Sequence, residues 1–179
     1  SAYNRLEFLV ILSQLAYRTR QFWNALPGLR RRVETGSLLP YLPPSQIVLF
    51  RRMQPSEQRH AYQMLQGLKA SGQTDPHLLA AALLHDVGKV LFPLSLLERA
   101  VIVLGKRFFR QRAGRWSEGT PSRLRRPFVV AAHHPDWGAD LAGQAGASSR
   151  TVELIRRHQD IPSIDDPLLA ALQSADNEI

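Results

Sequence analysis

The stretch DPHLLAAALLHDVGK, residues 75–89, limits the fold more than any other part of the chain. Asp75 can accept hydrogen bonds from the exposed amides of a first helical turn, and Pro76 suits the first helical position, where a missing N–H costs nothing. The run that follows is made of strong helix formers. Gly88 stands where a helix can close through a left-handed glycine. The expectation is a helix that ends at an adjacent imidazole and carboxylate, His85 and Asp86, with Lys89, one of only three lysines, just beyond it.

The rest of the chain reads in the same way. Apolar residues recur at helical spacing from Leu6 to Leu26, and LPGLRRR breaks the pattern. VETGSLLPYLPPSQ is a proline-rich connector into a short helix over Ile47–Met53. Pro55 and Ser56 start a helix through Lys69 that carries His60, the serine being read as a cap for its first turn. Further helices are expected over Leu94–Phe109, Phe128–Ala132, Trp137–Ala145, Ser149–Gln159 and Pro167–Asp176, and RQRAGRWSEGTPSRLRRP forms an exposed basic loop among them. No stretch alternates apolar and polar residues as a half-buried strand would. The fold class is therefore all-α: residues 1–45 as an N-terminal helix and connector, and 46–179 as a helical domain.

Composition removes several classes of function. The chain has no cysteine, which excludes disulfides, thiolate metal sites and a cysteine nucleophile, so any metal must use nitrogen and oxygen ligands. A formal charge of +8 attracts polyanions in general. The apolar runs EFLVILSQLAY and LLERAVIVLG fall short of the roughly 20 residues of a membrane span. No signal-peptide pattern opens the sequence. A soluble, cytoplasmic protein is expected.

His85 and Asp86 are neighbours, so on a helix their side chains diverge by about 100° and cannot chelate one ion as an i,i+4 pair does. They can stand side by side at a helix end, the carboxylate offering two oxygens and the imidazole one nitrogen. Other ligands must come from other helices. The chain offers His60, His134 in HHPDWG, His158 in IRRHQD and Asp176 in QSADN.

HDVGK, with a histidine 25 positions before it and a late aspartate, resembles the HD-domain metal-dependent phosphohydrolase superfamily, an all-helical fold. HPDWGADL is similar to the His-Pro-x-x-Gly segment of the HD-GYP branch, and LIRRHQD stands where that branch has His-His-Glu. The resemblance runs from about Leu49 to Asp176. RHQ replaces the paired histidines, the Gly-Tyr-Pro signature is missing, and the basic segment lengthens the gap from Asp86 to His134.

The resemblance implies an HD-domain helical bundle with an N-terminal helical extension and one or two divalent ions. His60, His85, Asp86 and Asp176 would hold the first ion, and His134 and His158 would complete a second site with Asp86 as the bridge. Lys89 would engage a substrate phosphate, making Asp86 and Lys89 the catalytic pair. The implied substrate is a phosphorylated small molecule, foremost a nucleotide. Paired divalent ions about 4 Å apart acidify a water between them and clamp phosphoryl oxygens, which is why such a site gathers these groups. Manganese, iron, zinc, nickel and magnesium all accept imidazole and carboxylate ligands, and ligand type does not choose among them.

Plainer readings apply to other residues. His133 is read as exposed or as support for His134, His77 as a solvated first-turn residue, and Glu57 as a complement to the helix dipole. Asp136 and Asp160 are read as loop or cap residues. Leu94, Leu97, Val101 and Leu104 form a stripe expected to pack into the core. The basic stretch Lys106–Arg126 is read as a solvated face, with an anion-attracting rim or a contact for nucleic acid or acidic lipid as its functional alternative. The rival to an enzyme is a non-catalytic HD-type regulator that keeps the metal site.

Overall fold

The computed structural model describes residues 32–108, 116–117, 119–122, 125–161 and 165–178. The helix expected over Leu6–Leu26 and most of the basic loop lie outside these residues. Among the described residues, seven α-helices and two short 3-10 segments account for the regular structure, and no strand occurs. The helices are α1 (Pro44–Arg51), α2 (Pro55–Ala70), α3 (Pro76–Leu84), α4 (Leu96–Phe108), α5 (Arg126–Gln144), α6 (Ser149–Arg157) and α7 (Pro167–Glu178). Residues 33–179 form one compact unit. Among the described residues, no helix is long and apolar enough to cross a membrane.

The helix α3 is the axis of the bundle. Asp75 caps it, accepting from the His77 and Leu78 amides at 2.8 and 3.0 Å. Every residue from Leu78 to Leu84 is buried, because α2, α6 and α7 all pack against it. A helix apolar on all sides is stable only in such a central position. Leu38 and Leu42 of the proline-rich connector join the same core, fully buried. Gln58 ties the end of α1 to α2, its amide donating to the Phe50, Arg51 and Met53 carbonyls.

Several local expectations are corrected. The cap of α2 is Gln54, not Ser56: the Gln54 side chain and the Glu57 carboxylate exchange hydrogen bonds with each other's backbone amides, closing a capping box ahead of Pro55. Gly88 does not adopt a left-handed conformation; the positive-φ glycines among the described residues are Gly72, Gly119 and Gly146. The chain instead leaves α3 through a 3-10 turn, Val87–Leu91. The two helices expected on either side of Pro135 are one, α5. Gly88 packs against the backbone at His134 and Gly138, on both sides of the proline, and this contact supports the helix where one N–H is missing.

The stripe on α4 is also corrected. Leu94, before the helix, is buried, but Leu97, Val101 and Leu104 are 80%, 44% and 47% exposed. The inward positions are one step away, at Glu98, Ile102 and Gly105. Polar ties decide this rotation: Arg99 bonds Gln54 and Glu57, and Arg126 pairs with Glu98. Apolar periodicity fixed the helix but not the face it turns inward.

Candidate metal centre

Five helices and one turn bring six side chains to a single point. His60 comes from the second turn of α2, and His85 and Asp86 follow directly on α3. His134 lies mid-way along α5, His158 caps the end of α6, and Asp176 comes from the last turns of α7. His60 Nε2 is 2.8 Å from Asp176 Oδ1, and His85 Nε2 is 3.6 Å from both Asp176 Oδ1 and Asp86 Oδ2. His134 Nε2 is 3.2 Å from Asp86 Oδ1. The imidazole rings run in a chain, with centroids of His60 and His85 5.3 Å apart, His85 and His158 5.2 Å, and His158 and His134 5.2 Å.

Two ligand groups result. One ligand atom each from His60, His85 and Asp86 lie within 4.8 Å of one another, and the same holds for Asp86, His134 and His158. Asp86 belongs to both.

The orientation of the rings indicates what the cluster could hold. Nδ1 of His85, His134 and His158 lies 2.9, 3.0 and 2.7 Å from the carbonyls of Ala82, Val130 and Ile155. A carbonyl only accepts, so each Nδ1 carries the proton and donates it, and in the neutral ring Nε2 is left as a bare lone pair. All three Nε2 atoms are buried and have no hydrogen-bond partner. Burial, with the neighbouring histidines, pushes the His158 imidazolium down to about 3, and burial likewise lowers His85, so these rings are neutral at physiological pH. The contacts of His85 with the aspartates are therefore not ion pairs. A buried lone pair facing a carboxylate oxygen is unfavourable unless something positive lies between them. A divalent cation fits these donors, and backbone-anchored imidazoles are the usual form of histidine ligands.

Asp86 is kept ionised for such a role. Burial works to raise its carboxyl, but the Lys89 ammonium, 2.6 Å from Oδ1, holds it well below the ordinary aspartate range. Asp176 is also lowered: burial opposes it, while the hydrogen bond from His60 prevails. Gly88 keeps this geometry. Its amide backbone presses so closely on α5 that a Cβ there would lie 2.0 Å from the His134 carbonyl oxygen.

The neighbouring residues take other roles. His133 is half-buried, bonded through Nε2 to the Ser117 carbonyl at 3.1 Å and stacked on Trp137. His77 is not merely solvated, since it is half-buried and its Nδ1 is 2.8 Å from Ser148 Oγ, linking α3 to the start of α6. Asp136 and Asp160 are 60% and 53% exposed and face Arg156 and Arg157. Sequence reasoning missed the Glu57–Arg99 pair. Glu57 is only 2% exposed and receives Arg99 Nη2 at 2.8 Å, whereas its sequence position pointed first to the helix dipole and second to an approach to a metal. The capping pattern was legible, but no local signal shows that an arginine 42 positions later reaches it.

A helical bundle whose central helix ends in His-Asp, and whose other helices return to that end with histidines and an aspartate, is the framework of a metal-dependent phosphohydrolase of the HD type. The HD domain family model matches residues 58–178, most of the chain, and the protein belongs to this family. The matched span includes all six clustered side chains and Lys89. No curated protein and no solved structure matches the chain significantly.

Proposed function

We propose that the protein hydrolyses a phosphoester of a small molecule, foremost a nucleotide, at a divalent metal centre. The observation that carries this reading is the set of three buried, unpartnered Nε2 atoms gathered around Asp86. His60, His85, Asp86 and Asp176 would hold one ion, and Asp86, His134 and His158 a second. Manganese, iron, zinc, nickel and magnesium all accept this set of imidazole and carboxylate donors. A bound divalent ion supplies Lewis acidity for a phosphoryl oxygen and lowers the pKa of water.

The chain's own groups supply placement and charge. Asp86, held ionised, contributes an anionic oxygen to each half of the cluster. The carbonyl-anchored rings keep their lone pairs directed inward without rotating. Lys89, only part-buried, can offer its ammonium to a non-bridging phosphate oxygen as a point charge.

The test is metal analysis after reconstitution with each ion in turn, followed by a panel of phosphomonoesters and phosphodiesters. Bound metal with turnover of one class is expected, and Asp86→Ala should lose both. Bound metal without turnover on any substrate would assign the protein to the non-catalytic regulators. Absence of binding would overturn the reading.

A further inference from the structure

We infer that Arg99 is a positioning residue for the metal centre: it holds the buried Glu57 carboxylate one turn before His60 and balances the charge that the ligand cluster experiences. This rests on the reading of the cluster as a metal site.

Glu57 and His60 stand at i and i+3 on α2 and so share a face. At 2% exposure Glu57 has little water to screen it. Its two oxygens are both engaged, Oε2 by the Gln54 amide at 3.2 Å and Oε1 by Arg99 Nη2 at 2.8 Å. The same Nη2 reaches Gln54 Oε1 at 2.7 Å, and Gln54 Nε2 donates to the Leu94 carbonyl at 3.2 Å. The start of α2 is thus fastened to the start of α4 around one buried anion and one cation. The interaction reaches the site: Glu57 is raised by burial and then by the charge of Asp86, while Arg99 and Lys89 act against this.

If the pair served only to fasten two helices, losing either member would weaken the site in the same direction. If it balances charge, the two losses have opposite signs. Glu57→Gln leaves an arginine that cannot discharge beside a cation site, and Arg99→Gln leaves an uncompensated carboxylate there.

The full chain with Glu57→Gln, Arg99→Gln, both together, and Arg99→Lys is titrated with Mn²⁺ at pH 8 and low salt, and the metal-free proteins are melted. Glu57→Gln should weaken Mn²⁺ binding by about tenfold and Arg99→Gln should tighten it several-fold, as expected for a partly screened unit charge acting on a divalent ion. The double variant and Arg99→Lys should return to about wild-type affinity, and both single effects should shrink with salt because Arg99 is part-exposed. Equal weakening by both single changes, or no change in either, would overturn the proposal while leaving the metal site standing. Failure of the wild type to bind Mn²⁺, or any other divalent ion, would overturn both. Should a single variant fail to fold, the double variant and Arg99→Lys decide: affinity well below wild type in both means that geometry, not charge, is what the pair provides.

Discussion

Replacing Gly88 with alanine adds one methyl group and should disable the centre without touching a ligand. The new Cβ would lie 2.0 Å from the His134 carbonyl oxygen, 2.7 Å from the Gly138 nitrogen and 2.9 Å from the His134 carbonyl carbon. All three are backbone atoms, so no side chain can rotate away. Reaching ordinary contact at 3.4 Å requires the turn and α5 to part by about 1.4 Å along the worst direction. Overpacking of this kind costs about 1–3 kcal/mol, and rigid neighbours place Gly88→Ala at the upper end. For a chain of this size that lowers Tm by about 5–12 °C. Because Asp86 and His134 stand on the two sides of the wedge, metal affinity should also fall by about 10–100-fold, the range seen when the support of a ligand is lost. Thermal denaturation of the metal-free protein and titration with Mn²⁺ measure the two effects. Gly67→Ala is the internal control, since Gly67 lies exposed on α2 with nothing within 4 Å of a Cβ. It should stabilise by about 0.5–1 kcal/mol through helix propensity alone. A Gly88→Ala protein that melts and binds like wild type would refute the close-packing account of this glycine.

Other outcomes follow from the same structure. His158→Leu should abolish binding at the half of the site it serves while changing the stability of the metal-free protein by less than about 1 kcal/mol, since it removes both a buried nitrogen without a partner and the ring's hydrogen bond to the Ile155 carbonyl; urea denaturation and metal titration check the pair. The unfolded chain protonates a histidine near 6.5 while the fold keeps His158 neutral down to about 3, so the unfolded state binds the extra proton between these values. Stability of the metal-free protein should therefore fall as pH drops from about 6.5 toward 3, by up to about 1.4 kcal/mol per pH unit for that residue, and His158→Leu should flatten the slope; chemical denaturation at several pH values measures it. Gln58→Leu should cost about 2 kcal/mol, because the Phe50 and Met53 carbonyls lose a buried donor, visible as a lower urea midpoint with an unchanged slope.

The sequence by itself determined most of the described helices and the residue types that meet at their ends. Asp75, Pro76 and the apolar run after them specify α3, because capping and propensity act within a few residues. The motif around His85 and Asp86 pointed to partners as distant as His60 and Asp176, which the fold brings within 2.8 Å of each other. Tertiary contact decided the rest. Pro135 reads as a break, yet α5 runs through it where the turn at Gly88 packs against both sides. The apolar spacing of Leu97, Val101 and Leu104 defines a face of α4, but the pairs Arg99–Glu57 and Arg126–Glu98 turn that face outward. Local propensity and capping are properties of neighbouring residues. Which face is buried, which glycine must lack a side chain, and which cation meets a buried carboxylate depend on groups 28 or more residues apart, and only the packed chain brings those together.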